Sequence, residues 1–249
     1  MTKHTTSWGK VASWYDDYLG NEGTYQAQVI LPHLMRVLSL QKGQRVLDLG
    51  CGQGYFAREC AKTGAQVVGA DISPELIAQA QKQGGGVEYH VASADQLAFA
   101  KNHSFDVVVC VLALQNMEDL AAVCKEAARV LVPGGRLVLV LNHPAFRVLK
   151  RSSWGFDEAL GVQYRRVDGY LSAAKIAVDM HPGRGSGVQT VSYHRSLQDF
   201  FKALAGAGFM VSKLEEWVSH KVSDKGPRKN AEDTARKEIP LFMLLEART

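Results

Sequence analysis

Between residues 45 and 141, short apolar runs alternate with amphipathic stretches. Residues 45–49, 66–70, 87–91, 106–112 and 136–141 are rich in Val and Leu, and they read as strands. Residues 54–63, 73–83 and 120–131 carry apolar side chains three and four apart and read as helices. Ser73 stands where an N-cap belongs, with Pro74 at the first helical position. Gly84-Gly85-Gly86 and Pro133-Gly134-Gly135 are turn signals, the second joining helix 120–131 to strand 136–141. Such alternation predicts a parallel sheet covered on both faces.

The pattern differs on either side of this region. Residues 24–40 have apolar positions at 29, 30, 34, 37 and 38, the spacing of a helix, with Pro32 predicting a kink or a late start. Residues 1–20 form a weaker amphipathic helix containing Trp14, Tyr15 and Tyr18. After residue 141 the order breaks down, and 142–174 read as irregular, aromatic and basic. Residues 175–181 and 188–194 suit a hairpin around the glycine-rich loop 182–187, which offers an edge to a second copy and hence a homodimer. Residues 197–207 form a helix, and 209–217 and 241–248 suit closing antiparallel strands. Residues 219–238 have few apolar positions and read as a loop.

Composition narrows the class. The 249 residues are 46% apolar and 22% charged, which excludes a mostly disordered chain. The longest clean apolar run, residues 107–114, is far short of the roughly 18 residues that a membrane span needs. The first ten residues are polar and lack a secretion-signal core, so a cytoplasmic protein is expected. The net charge of +4 is mild for a nucleic-acid binder. It is uneven, with seven basic and four acidic residues in 142–184. The four cysteines show no metal-binding spacing and suit a reducing compartment.

The most specific signal is Val46-Leu47-Asp48-Leu49-Gly50-Cys51-Gly52-Gln53-Gly54. A buried strand runs into three glycines at alternate positions and then into a helix, a turn that lets a ligand approach the backbone. The spacing differs from the G-x-G-x-x-G of dinucleotide binders. Asp71, at the end of the next strand, can accept two hydrogen bonds from a ribose diol. The segment resembles the class I S-adenosylmethionine-dependent methyltransferases, in particular their small-molecule, quinone-biosynthesis-like (type 11) branch. Val68-Gly69-Ala70-Asp71-Ile72-Ser73, Phe105-Asp106-Val107-Val108-Val109-Cys110, Glu126-Ala127-Ala128-Arg129-Val130-Leu131 and Val132-Pro133-Gly134-Gly135-Arg136-Leu137 extend the resemblance in order over residues 41–141.

The resemblance implies a fold, a cofactor and a site. The fold is a Rossmann-like, doubly wound α/β domain with a mostly parallel seven-stranded sheet. In this reading 1–40 is a helical lid, 41–141 the cofactor core, 142–195 an inserted cap, and 196–249 a closing helix and strands. Asp48 lies near the methionine end of S-adenosylmethionine, with Gly50, Gly52, Gln53 and Gly54 in the turn beneath it. Asp71 takes the ribose hydroxyls and Ile72 meets the adenine, with Ser93, Ala94 and Asp95 at the adenine edge. Many relatives carry an aspartate where Ser93 stands, so the adenine amino group has Ser93, Asp95 or a backbone carbonyl as alternatives. Cys110, Val111 and Leu112 line the ribosyl and methionine side, and Tyr15 belongs to a lid whose Trp14 and Tyr18 equally suit core packing.

Methyl transfer from a sulfonium is an in-line displacement that needs alignment, exclusion of water and, for some acceptors, a base. No Asn/Asp-Pro-Pro-aromatic run follows the fourth strand and no cysteine follows proline, which disfavours base-amine and cysteine-dependent nucleic-acid methylation. Gln115 and Asn116 stand where relatives carry a histidine pair. His143, after the fifth strand, is the expected general base and His194 the second candidate. Arg147, Lys150, Arg151, Arg165 and Arg166 around Trp154, Phe156 and Tyr164 suit an anionic planar acceptor, RNA, or simply a solvated cap. Residues 142–248 also resemble one bacterial branch of these enzymes, through His143-Pro144-Ala145-Phe146-Arg147, Tyr193-His194-Arg195-Ser196-Leu197 and Glu238-Ile239-Pro240-Leu241-Phe242. That implies a shared cap and names no substrate. The expectation is methylation of a small molecule at O, C or N; the alternatives are an RNA or tRNA methyltransferase and a nonenzymatic cofactor-binding module.

Overall fold

A computed structural model describes residues 23–179 and 189–249. Five strands, β1 (Arg45–Leu49), β2 (Gln66–Asp71), β3 (Glu88–Val91), β4 (Phe105–Val111) and β5 (Leu131–Asn142), run parallel in the order β5-β4-β1-β2-β3. Two small antiparallel pairs follow: β6 (Ser152–Asp157) with β7 (Val162–Val167), and β8 (Ala174–Asp179) with β9 (Gln189–His194). The late strands β10 (Met210–Trp217) and β11 (Phe242–Arg248) then complete a seven-stranded sheet, with β11 antiparallel to both β5 and β10.

Alternation along the strands sorts side chains onto two cores. In β4, Val107 and Val109 face one side, packed with the helices α1 (Leu31–Leu38) and α2 (Tyr55–Ala61) and with Ile77 and Ala80 of α3 (Pro74–Gln83). Val108 and Cys110 face the other, packed with α4 (Leu120–Val130) and α5 (Leu197–Gly206). The central strands β1 and β4 are thus buried on both faces, which is why their runs read as continuous hydrophobics. Helix starts are fixed locally: Ser73 Oγ accepts the Leu76 amide at 3.3 Å, and Asp119 Oδ1 accepts that of Ala122 at 2.9 Å. Pro32 sits in the first turn of α1, where no amide is needed, and a π-helical turn over Gln26–Ile30 precedes it.

Three expectations are corrected. Pro133-Gly134-Gly135 is no separate turn: β5 begins at Leu131, opposite Phe105, and the register jumps to Arg136 opposite Val107. The extra residues bulge out of the strand, Gly134 taking φ 76°. The region 142–174 contains β6 and β7, joined by a turn in which Asp157 Oδ1 accepts the amides of Ala159 and Leu160. The expected loop 219–238 ends in a helix, α6 (Lys229–Glu238), which packs on β7. Lys229–Asp233 and Glu232–Arg236 pairs one turn apart support it. No helix among the described residues is long and apolar enough to cross a membrane.

Candidate active site

The glycine turn is built where β1 ends. The amides of Gly50 and Cys51 both donate to Ala70 O, at 2.7 and 3.0 Å, and fasten the turn to the end of β2. Asp71 then spans two turns: its Oδ2 accepts the Gly52 amide and its Oδ1 the Ser73 amide, both at 2.9 Å. Gly50 has φ 73°, and a Cβ there would stand 2.5 Å from that of Ala113. Gly54, at φ 82°, would place a Cβ 2.2 Å from the Tyr89 hydroxyl. Both positions thus require glycine on conformational and steric grounds.

Above this turn lies a cavity of about 490 Å³ at the carboxyl ends of β1, β2 and β4, where ligands bind in doubly wound sheets. Of the residues read from the sequence, it gathers Asp48, Gly50, Gly52, Asp71, Ile72, Ser93, Ala94, Asp95, Val111 and Leu112. It does not gather three others. Gln53 is buried, and its two oxygens accept from Arg58 at 2.7 and 2.8 Å. Gly54 packs against Tyr89 instead, and Cys110 is wholly buried on the α4 side of the sheet. Tyr15, with Trp14 and Tyr18, lies outside the described residues. Residues missed in the sequence also line the wall: Tyr55 and Phe56 at the start of α2, and Met117, Glu118 and Asp119 before α4. Asn116, noted only as a replacement for histidine, lies there too.

Neither His143 nor His194, the two histidines expected as bases, lines this cavity. His143 is 2% exposed and fully engaged: Nε2 meets Glu216 Oε1 at 2.7 Å, and Nδ1 accepts the amides of Ala145 and Phe146. Burial holds its pKa below the usual imidazole value, against the pull of Glu216. His194 is buried in β9, with Nε2 against Tyr170 O at 2.7 Å. Two basic residues of the 142–174 region are likewise engaged away from the cavity. Arg165 donates to Phe146 O and Ser152 Oγ and lies over Trp154; Arg147 donates to Asn142 Oδ1 and lies over Phe242. The β8–β9 pair reaches the cavity rim. Arg195 Nη2 donates to Met117 O and Glu118 O, at 2.7 and 2.6 Å, and Lys175 Nζ lies 3.4 Å from Glu118 Oε1.

Asp48 is the electrostatic centre of the wall. It is 2% exposed, and its Oδ2 has no hydrogen-bond partner among the described residues. Burial pushes its pKa up to about 7, the charge of Asp71 adds to that, and the Ala57 amide opposes it. Burial raises the Asp71 carboxyl as well, against the amides of Ser73, Gly52 and Ile72. The thiols of Cys51 and Cys110 are pushed up mainly by burial, and both cysteines are free and buried.

A doubly wound sheet with a glycine turn and an acidic residue at the end of β2 defines a nucleoside-binding domain. Comparison with known proteins gives the family. Residues 47–139 match a family described as a methyltransferase domain. A ubiquinone biosynthesis O-methyltransferase of Xanthomonas oryzae is 42% identical over 101 residues, covering 39% of this chain and 42% of that relative. The match thus spans less than half of the relative's length. The structure of an S-adenosylmethionine dependent methyltransferase from Mesorhizobium loti is 30% identical, covers 92% of this chain and 99% of that one, and superposes with a TM-score of 0.70. The 1,6-didemethyltoxoflavin-N1-methyltransferase of Burkholderia thailandensis, solved with its substrate and S-adenosylhomocysteine, shares the fold at 15% identity, with 96% and 84% coverage and a TM-score of 0.57. The chain belongs to the S-adenosylmethionine-dependent methyltransferases, and S-adenosylmethionine is its cofactor. The residues present fit that group. The glycines allow close approach, the orphaned Asp48 oxygen can accept from an ammonium, and Ile72, Ala94 and Leu112 give an apolar wall to a base.

Proposed function

We propose that this chain transfers a methyl group from S-adenosylmethionine to a small-molecule acceptor at O, C or N. A hydroxyl acceptor is the first choice, because the Xanthomonas relative is an O-methyltransferase. The observation that carries the reading is the cavity at the strand ends, whose wall joins Asp48, the glycine turn and Asp71. When bound, the cofactor supplies an electrophilic methyl group with an excellent leaving group. The chain's own part is then to hold and align. Asp71 retains lone pairs beyond its two amide bonds and accepts the ribose hydroxyls, while Ile72 and Ala94 bracket the adenine. Asn116 has both a donor and an acceptor to orient an acceptor hydroxyl or amine. With both histidines turned away, Glu118 on the rim replaces them as the candidate for taking the acceptor's proton. The four buried, reduced cysteines suit a cytoplasmic setting.

The test begins with calorimetric titration of S-adenosylmethionine, S-adenosylhomocysteine and NADH. Binding of the first two and none of NADH is expected; no heat with either of the first two rejects the cofactor site. Release of S-adenosylhomocysteine is then followed with phenols, amines and aromatic acids as acceptors. Failure across all three classes, with the cofactor bound, rejects small-molecule methylation.

A further inference from the structure

The link between β4 and α4, residues 112–119, brings Asn116 and Glu118 to the cavity wall, the two side chains proposed above to meet the acceptor. Its regular structure is a 3₁₀ turn over Leu114–Asn116, in which the Asn116 and Met117 amides donate to Ala113 O and Leu114 O. Its outer carbonyls are taken by side chains distant in sequence. Arg195, between β9 and α5, donates Nη2 to Met117 O at 2.7 Å and to Glu118 O at 2.6 Å, and its Nη1 approaches Leu114 O at 3.5 Å. Ser192 Oγ of β9 donates to Gln115 O at 3.4 Å.

Arg195 is itself held firmly. Its guanidinium lies over the Tyr193 ring, 5.2 Å from the centroid. The neighbouring His194 meets Tyr170 O at 2.7 Å, and the Leu197 amide donates to the Tyr170 hydroxyl at 2.9 Å. Ser196 and Asp199 close the first turn of α5, which packs on α4. The run Tyr193-His194-Arg195-Ser196-Leu197 thus sets one guanidinium at a rigid corner. That guanidinium makes no ion pair among the described residues, and its donors go to carbonyls. A planar fork can span several carbonyls at once, which an ammonium cannot.

We infer that Arg195 is the positioning residue for the acceptor side of the cavity. It fixes the backbone of Met117 and Glu118, and through it the Asn116 carboxamide and the Glu118 carboxylate, while standing outside the cavity wall itself. The cofactor side is built separately, on the turn after β1 and on Asp71. Loss of the fork therefore costs alignment of the acceptor and spares cofactor binding. This rests on the cavity being the site of methyl transfer to a small molecule.

The experiment uses the full chain with Arg195→Lys and Arg195→Ala. Amide hydrogen exchange at Asn116 and Met117 is expected to quicken at least tenfold in Arg195→Lys, with Gly50, Cys51 and Gly52 exchanging as in the wild type. Calorimetric affinity for S-adenosylhomocysteine should stay within about threefold. With the best acceptor among the phenols, amines and aromatic acids, kcat/KM should fall at least tenfold in both variants. A few millimolar guanidinium chloride, but not sodium chloride, should restore part of the loss in Arg195→Ala. Unchanged exchange at 116 and 117, or wild-type kcat/KM in both variants, overturns the inference and leaves the proposed function standing. Faster exchange throughout, with weaker cofactor binding in step, also overturns it, since Arg195 then merely supports the fold. A wild type that binds the cofactor and methylates none of the acceptors overturns the proposed function and this inference with it.

Discussion

At the scale of single residues, the site is a set of backbone demands met by particular side chains. Asp71 is the clearest case, because its two oxygens clamp the Gly52 and Ser73 amides while facing the cavity. Asp71→Ala is expected to weaken S-adenosylmethionine binding by more than about 1 kcal/mol, measured by calorimetry. An unchanged affinity excludes the ribose contact. Gly54→Ala should destabilise the fold by about 1–3 kcal/mol in urea denaturation, since it strains φ and drives a methyl group into the Tyr89 hydroxyl. His143 now has a different expectation from that of a base. It joins Glu216 of β10 to the chain leaving β5, so His143→Ala should cost about 1–3 kcal/mol of stability. Turnover at saturating acceptor should fall less than threefold; a loss of a hundredfold with the fold intact would return the ring to the chemistry.

At the scale of elements, local chemistry sets the boundaries. In α5 the Asp199 carboxylate accepts from both the amide and the hydroxyl of Ser196, each at 2.9 Å. Asp199→Ala should lower stability by about 0.5–2 kcal/mol, read as a drop in melting temperature. The strands β1, β4 and the second half of β5 were legible because both faces of the sheet are covered there, which forces unbroken apolar runs. The pair β6–β7 was not. Ser152, Ser153 and Gly155 interrupt one strand, Val162 and Tyr164 stand exposed on the other, and no clean alternation survives. Helix α6 was hidden similarly. Its two apolar residues are Ala231 and Ala235, and ion pairs one turn apart do the rest. The site divides the same way. Positions set by turn geometry, such as Gly50 and Asp71, could be read from spacing. The direction of a histidine ring could not, because the partner of His143 lies 73 residues away in another strand.

For the molecule as a whole, the carboxylates fall into two groups with opposite effects on stability. Glu126 beside Arg129, Glu215 beside Arg36 and Asp233 beside Lys229 titrate below their ordinary values, Asp233 at about 2. Their support is complete above the unfolded pKa and is lost as pH falls through the folded one. Asp48 works in reverse. Folded, it keeps its proton to about pH 7, whereas unfolded it loses it near pH 4, so stability declines as pH rises between those values. Asp48→Asn should therefore raise stability by at least about 1 kcal/mol at pH 8 and change it little at pH 4, followed by denaturant melts at both pH values.

The position of β11 has a kinetic consequence. It lies between β5 and β10, and its pairing with β5 sets Phe242 opposite Asn142, partners about 100 residues apart in the chain. Until that loop closes, β5 exposes one bare edge, and the apolar row from Leu137 to Leu141 lacks its neighbour. The strands that carry the glycine turn pair through shorter connections and can assemble first. Refolding should thus pass through a state in which the parallel half of the sheet is formed and one sticky strand waits for its cover, a species prone to associate with its own kind at high concentration.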